Sequence, residues 1–361
     1  MKKILIVVGT RPNFIKITQF KKFCSPTLDI KIVHTGQHFD ALMADVFFEQ
    51  FKLTPDFFLD IDAGTPNSQI AQIMDKMEGV INNTKPDLIL VAGDVNSTLA
   101  AALTAKKMNI KLGHIESGLR SNDRTMPEEI NRILTDEISD YFFVTEKSGV
   151  DNLLKEGKDL NRIFFVGNTM IDTMCAFDKE IGENPVLDKL SLKKKGFVLM
   201  TMHRPATVDS KEGLEALSKL IKAISARLDV VFPIHPRTLA KLKSFGMYSD
   251  LEKNERLKLI SPLDYFSFQK LIKECRLILT DSGGIQEEST FMQVPCLTLR
   301  PNTERPVTAE IGTNTLVEFD IKSIESLVDQ IESGKYKKGV VPPLWDGKAT
   351  ERIVRIIEKL S

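Results

Sequence analysis

Cysteine is scarce in this chain and poorly placed for bridging. Cys24, Cys175, Cys275 and Cys296 are scattered and form no CxxC. That spacing argues against a disulfide framework and a structural zinc site, and it fits a reducing compartment. Net charge is also lacking, since 49 Lys and Arg balance 49 Asp and Glu. No global field therefore draws the chain to nucleic acid or an anionic membrane, and any anionic ligand must be held by a local site. A continuous apolar run of about 18 residues, the length of a membrane span, is missing. The opening MKKILIVVGTRP has basic residues and a short apolar run, without the longer apolar region and cleavage site of a signal peptide. It predicts a buried first strand in a cytoplasmic protein. No GxGxxG follows that strand, so a dinucleotide cofactor is not expected.

Short β-branched runs alternate instead with helical patterns. KILIVVG, DIKIVHTG, DLILVAG, IKLGHIE and DYFFVT predict strands. NFIKITQFKKFC, ALMADVFFEQF, SQIAQIMDKMEGVINNT, STLAAALTAKKMN and PEEINRILTDEIS predict helices. Continuous apolar strands each followed by a helix imply a parallel sheet covered on both faces. The pattern restarts near Gly196 with GFVLMTMHR, DVVFPIHP, LKLISP, RLILTDS and VPCLTLR as strands. The chain length of 361 residues also favours two domains. The expected fold is α/β, with two Rossmann-like doubly wound domains facing a cleft.

Parallel sheets bind ligands beyond the carboxyl ends of their strands, so the residues just after each strand matter most. GTRP follows the first strand, and Arg11 with Lys16 sets two cations near a helix N-terminus. The macrodipole disfavours cations there, so an anion is the natural partner; surface ion pairs are the plainer alternative. In VAGDVNST, Asp94 sits where either an N-cap or a catalytic carboxylate belongs. In GHIESGLRS, Glu116 ends a strand, a position glutamate disfavours without a role, although an ion pair with Arg120 or Arg124 also accounts for it. In MPEEINR, Glu128 and Glu129 suit the positive end of a helix opened by Pro127. Glu128 gains a functional reading only alongside Asp94 and Glu116. Three carboxylates converging on one cleft would raise the pKa of at least one, which general acid/base chemistry needs.

The second half offers matching exits. MTMHRPATVD places His203 and Arg204 where the first domain has Arg11. IHPRT adds His235 and Arg237, for which structural and ligand roles both stand. HTGQH spaces His34 and His38 four apart, but Gly36 puts them on a strand exit rather than a helix, so no metal is expected. In TDSGGIQEE, Ser282, Gly283 and Gly284 offer backbone N–H groups and a hydroxyl at a helix start, a phosphate cradle. Glu288 lies one turn on, where a carboxylate accepts from neutral hydroxyls. Asp281 is expected to cap or orient the turn, and Glu287 to complement the helix start. RPNTERP adds Arg300 and Arg305. Cations from both halves, a diphosphate-sized cradle and carboxylates together suit a nucleotide sugar.

GTRPNFIK, TGQH, GDVNST, GHIESGLRS, MPEEINRILTD, VGNTMID and LTDSGGIQEE…TERP, in this order over nearly the whole chain, resemble the non-hydrolysing UDP-N-acetylglucosamine 2-epimerase family. The resemblance implies a GT-B-like fold, with an N-terminal domain of residues 1–170 plus 345–361 and a UDP-binding domain of residues 171–344. It implies a homodimer that interconverts UDP-N-acetylglucosamine and UDP-N-acetylmannosamine, without nicotinamide or metal, for surface polysaccharide precursors. By resemblance Asp94, Glu116, Glu128 and His203 are catalytic. Arg11, Lys16, Phe268, Ser282, Gly283, Gly284, Glu288 and Arg305 bind substrate, with Phe268 at the uracil, Glu288 at the ribose and Arg305 a further nucleotide contact. Asn13 departs from the pattern, standing where an acidic residue is usual, as do Pro205 and Thr207. A close branch acts on UDP-2,3-diacetamido-glucuronate or deoxysugars. A hydrolysing 2-epimerase, a GT-B glycosyltransferase and a silent nucleotide-sugar sensor are the remaining alternatives.

Overall fold

The computed structural model describes residues 1–36 and 48–360. The chain divides into two compact units, Met1–Phe177 with Pro343–Ser361, and Asp178–Pro342. Each is α/β and built on one fully parallel sheet.

The first unit contains β1 (Lys2–Val8), β2 (Leu28–His34), β3 (Phe57–Phe58), β4 (Leu88–Ala92), β5 (Lys111–Ile115), β6 (Tyr141–Val144) and β7 (Ile163–Phe165). Their order is β3-β2-β1-β4-β5-β6-β7. The chain builds outward from β1 in one direction and then returns to build in the other. The switch point of this sheet thus lies between β1 and β4, where a ligand crevice opens at the carboxyl ends. Leu5, Val7, Ile89 and Val91 pack with Ile73, Met77 and Ala100–Ala102 of the helices Pro66–Thr84 and Asn96–Lys107.

The second unit contains β8 (Phe197–Thr201), β9 (Asp229–Pro233), β10 (Leu257–Ile260), β11 (Leu277–Thr280), β12 (Cys296–Thr298) and β13 (Asn314–Leu316), in the order β10-β9-β8-β11-β12-β13. Its switch point is between β8 and β11. Side chains alternate along β8: Val198 and Met200 enter one core with Leu217 and Ile221, while Phe197 and Leu199 enter the other with Leu271 and Ile272. Burial on both faces explains why these strands read as unbroken apolar runs.

The last helix, Ala349–Lys359, belongs to the first unit. Asp172 accepts from the Ala349 and Thr350 amides at 3.0 and 2.6 Å, and Lys2 Nζ donates to the Ile357 carbonyl at 2.8 Å. Trp345, fully buried, donates its indole N–H to the Thr145 carbonyl at 3.0 Å.

One predicted helix differs from the structure. NFIKITQFKKFC is not one helix; a five-residue helix, Arg11–Ile15, precedes a 3₁₀ turn, Phe20–Phe23. Residues 13–20 are buried on every side, so no amphipathic face exists to sustain a long helix. The Ile15 carbonyl accepts instead from Thr173 Oγ1 at 2.6 Å. The helix predicted at ALMADVFFEQF lies largely outside the described residues, as does His38; residues 48–51 are helical.

Candidate active site

The polar strand exits gather at the two switch points. In the first unit the loops after β1, β4 and β5 meet over Gly93. This residue has φ +69°, and a Cβ there would lie 2.8 Å from Asn13 Nδ2, 2.9 Å from Lys16 Nζ and 3.3 Å from Glu116 Oε2. Only glycine allows three side chains to close over the backbone in this conformation. Asn13, buried, accepts from Thr10 Oγ1 at 2.5 Å and donates to the Ala92 carbonyl at 2.7 Å. Lys16 and Glu116 form a buried ion pair. Glu116 adopts the left-handed region, φ +68°, which is costly for a residue with a side chain and persists only where the surroundings hold it. Its amide donates to the Phe143 carbonyl at 3.0 Å. Its second oxygen, Oε1, is buried with no hydrogen-bond partner among the described residues. A carboxylate oxygen left so is expensive, and a ligand donor or a transferable proton would satisfy it.

Asp94 follows Gly93 and pairs with Arg132 of the helix Pro127–Ile138, while Asn131 donates to the Asp94 carbonyl at 2.9 Å. Glu128, exposed, is four residues before Arg132 and shares its helix face. Glu129 is the structural glutamate of the pair: buried, it accepts from the Ser121 and Asn122 amides, both at 2.9 Å, and from Arg132 at 2.5 Å. Asp94 and Glu116 therefore share one crevice, each with a cation, and Glu128 stands on the helix that holds Asp94. Arg11 is exposed at the first position of its helix.

Beneath these loops lies a buried network that the motif reading missed. His114 on β5 places Nδ1 2.6 Å from Asp136 Oδ1 and Nε2 2.8 Å from the Gly93 carbonyl. Asp136 Oδ2 accepts from the Gly118 amide at 3.0 Å and lies 2.7 Å from Arg120 Nη1. Burial pushes the Asp136 carboxyl up, but His114, followed by Arg120, carries it below the ordinary carboxylate range. Arg120 thus pairs with Asp136 and Glu156 rather than with Glu116. His114 is two positions before Glu116, and no local spacing flags its partner Asp136, 22 residues on.

In the second unit Asp281 ties the β8 and β11 exits together. Its Oδ2 accepts from the His203 and Arg204 amides, both at 2.9 Å, and Oδ1 lies 3.0 Å from His203 Nδ1. Burial raises the Asp281 carboxyl, yet His203 and these amides bring it below the ordinary value. Asp281 thus orients a neighbouring loop. The His203 ring stays 40% exposed and lies 5.6 Å from that of His235. His235 Nδ1 accepts from the Arg237 amide at 3.1 Å, and Arg237 pairs with Asp209.

Ser282, Gly283 and Gly284 open the helix Gly284–Phe291, half-buried, with no side-chain cap on it. The Ser282 amide is already donated to Thr280 Oγ1 at 2.9 Å. Arg305 is buried and doubly paired, with Glu304 and with Glu287 at 2.6 Å. Glu287 is thus a partner of Arg305, beyond its helix-terminal placement. Arg300 donates to Glu304 at 3.0 Å and keeps a buried Nη1 with no hydrogen-bond partner among the described residues. Burial, with the nearby charges of Arg204 and Arg305, pushes the Arg300 guanidinium below its ordinary value despite Glu304. Arg305 lies against the glycine turn, and Arg300 feels the charges of both Arg204 and Arg305; guanidiniums clustered in this way suit an anion. Glu288 accepts from Gln269 at 2.5 Å, and burial, helped by Glu287, raises it to about 8. Phe268 is half-buried on the adjoining helix Tyr265–Glu274. His34 is a core group: burial lowers it to about 4, and its ring packs on Phe48 and Phe58.

The family model described as UDP-N-acetylglucosamine 2-epimerase matches residues 23–358. The UDP-N-acetylglucosamine 2-epimerase of Methanocaldococcus jannaschii is 41% identical, over 98% of this chain and 98% of its own length. The UDP-2,3-diacetamido-2,3-dideoxy-D-glucuronate 2-epimerase of Pseudomonas aeruginosa is 39% identical, over 87% of this chain and 88% of its own. The crystal structure of the Methanocaldococcus jannaschii UDP-GlcNAc 2-epimerase in complex with UDP-GlcNAc and UDP matches with a TM-score of 0.90 at 41% identity, covering 98% of this chain and 99% of that one. Because this likeness runs through both units, the chain belongs to the UDP-N-acetylglucosamine 2-epimerase family.

Proposed function

We propose that the protein is an isomerase that interconverts UDP-N-acetylglucosamine and UDP-N-acetylmannosamine without releasing free sugar. The observation that carries the chemistry is Glu116, with one oxygen on Lys16 and the other buried at the switch point of the first sheet without a partner among the described residues. The sugar C2 proton lacks a neighbouring ketone to acidify it. Breaking C1–O must therefore accompany its removal: the base takes the C2 proton, the C1=C2 bond forms, and UDP leaves with the electron pair. In the return step UDP oxygen attacks C1 while an acid delivers a proton to the opposite face of C2. Two proton-transfer groups are needed, and Asp94, Glu116 and Glu128 are the assigned candidates.

The second unit is assigned to the nucleotide. Ser282, Gly283, Gly284, His203 and the arginines around them suit the diphosphate, Phe268 the uracil and Glu288 the ribose. Arg11 and Lys16 are assigned to substrate binding, with Lys16 also holding Glu116. Ile130 and Leu134, 38% and 45% exposed on one face of the helix Pro127–Ile138, support the further reading of a homodimer; sedimentation tests it.

A second substrate reading rests on the Pseudomonas aeruginosa relative, close to the first in identity. The test is NMR in deuterated water with UDP-N-acetylglucosamine and, separately, the diacetamido-uronate. Deuterium at C2 with a UDP-N-acetylmannosamine product supports the main reading. Free sugar indicates hydrolysis, and turnover of the uronate alone moves the substrate.

A further inference from the structure

We propose that His114 and Asp136 form a positioning dyad for epimerisation, with a proton held between Nδ1 and Oδ1 besides the one on Nε2. The inference rests on the assignment of Asp94 and Glu116 to proton transfer.

The dyad bridges the two loops that carry those carboxylates. Its histidine end grips the carbonyl of Gly93, the residue before Asp94, and its aspartate end grips the amide of Gly118, two residues after Glu116. Both side chains are fully buried, so neither bond competes with water. A carbonyl oxygen only accepts, so Nε2 must carry a hydrogen toward Gly93. At 2.6 Å, Nδ1 and Oδ1 cannot face each other as two bare acceptors, so a proton lies between them. Arg120 and the Gly118 amide draw the negative charge of Asp136 onto Oδ2. Glu156 pairs with Arg120 on its far side, and beyond Gly93 stand Lys16 and Glu116. His114, Asp136, Arg120 and Glu156 together are charge-neutral, which is how a buried ionic network survives.

Both side chains are fully buried against these loops and open to no ligand, so the dyad acts through the loops it fixes. Displacement of a reacting group by an ångström is enough to cost about 10²-fold in rate. Glu116 holds a left-handed backbone conformation that nothing in its own side chain favours, and the grip on Gly118 is one of the restraints that keep it there.

The test has two arms. Imidazole nitrogen NMR of the whole protein labelled at histidine should show protons on both nitrogens of His114 at neutral pH, with the Nδ1 proton strongly downfield. In Asp136→Asn that downfield proton should vanish. Kinetically, His114→Gln should lower kcat by about 10²-fold while KM and UDP affinity move little, because Phe268, Glu288 and the Ser282–Gly284 cradle belong to the second unit. The double variant should be no worse than either single one. A wild-type ring bare at either nitrogen overturns the inference, and so does a folded His114→Gln with kcat within about threefold of wild type. If the wild-type protein turned over neither UDP-sugar, the functional reading would fall, and the ring protons would still decide the dyad.

Discussion

Lys16 and Glu116, 100 residues apart in sequence, form a buried ion pair over Gly93, joining the exits of β1 and β5. Removing one partner of such a pair strands the other charge, at about 3–5 kcal/mol, whereas removing both costs far less. Lys16→Met should therefore destabilise the protein by about 3 kcal/mol, and Lys16→Met with Glu116→Gln should recover most of that loss in urea unfolding. Turnover should behave differently. Glu116→Gln alone should cut kcat by at least about 10²-fold, and restoring stability in the double variant should not restore it. Additive stabilities would remove the pair as an energetic unit.

Glu288 supplies a pH signature. Its folded value, about 8, lies well above that of an unfolded glutamate, so the native state binds the extra proton between about pH 4.5 and 8. Stability therefore falls as pH rises through that window and levels off above it. Glu288→Gln removes the penalty. The melting temperature of the variant should gain on that of wild type from pH 5 to pH 8, while UDP binding weakens through loss of the ribose contact proposed for Glu288. Parallel melting curves across that range would show that Glu288 is already ionised.

The strand exits were legible because burial on both faces writes an apolar run, and its end marks the sheet edge. Asp94, Glu116, His203 and Ser282 follow β4, β5, β8 and β11 for that reason. The pairings above those edges were not legible. That Lys16 meets Glu116 depends on the strand order β1-β4-β5, which no local spacing encodes. Asp281 was legible only as a residue that caps or orients its own turn, and Glu287 only as a complement to the helix start, since a short turn explains them as well as the distant His203 loop or Arg305 does. Of the adjacent glutamates at Pro127, only three dimensions separate buried Glu129, held by two amides and Arg132, from exposed Glu128.

Gly283 is a place to separate nucleotide binding from chemistry. A Cβ there would lie 2.7 Å from Glu304 Oε1 and 2.9 Å from Arg305 Nη1. These are side-chain tips, but Glu304 is tied to Arg300 and Arg305, and Arg305 also to Glu287. Gly283→Ala should shift that network and raise the UDP dissociation constant by about tenfold, worth about 1.4 kcal/mol. Calorimetric titration with UDP measures it, with the wild-type melting temperature nearly kept. Unchanged UDP affinity would take the cradle out of the nucleotide site.

Asp281 holds the His203 loop, and its removal should be felt in both stability and turnover. Its carboxylate accepts two backbone amides and faces His203 Nδ1. Because its folded value is depressed, its stabilisation is fully present above the ordinary carboxylate pKa and is lost as pH falls through the folded value. Asp281→Asn keeps the shape, removes the charge and turns half of the group into a donor. It should cost about 2–3 kcal/mol at neutral pH, with the difference from wild type shrinking in acid. Since His203 is assigned to the departing diphosphate, kcat should fall more than the stability loss accounts for when measured on the folded fraction. A variant as active as wild type per folded molecule would leave Asp281 a purely structural clasp and would free His203 from any need of it.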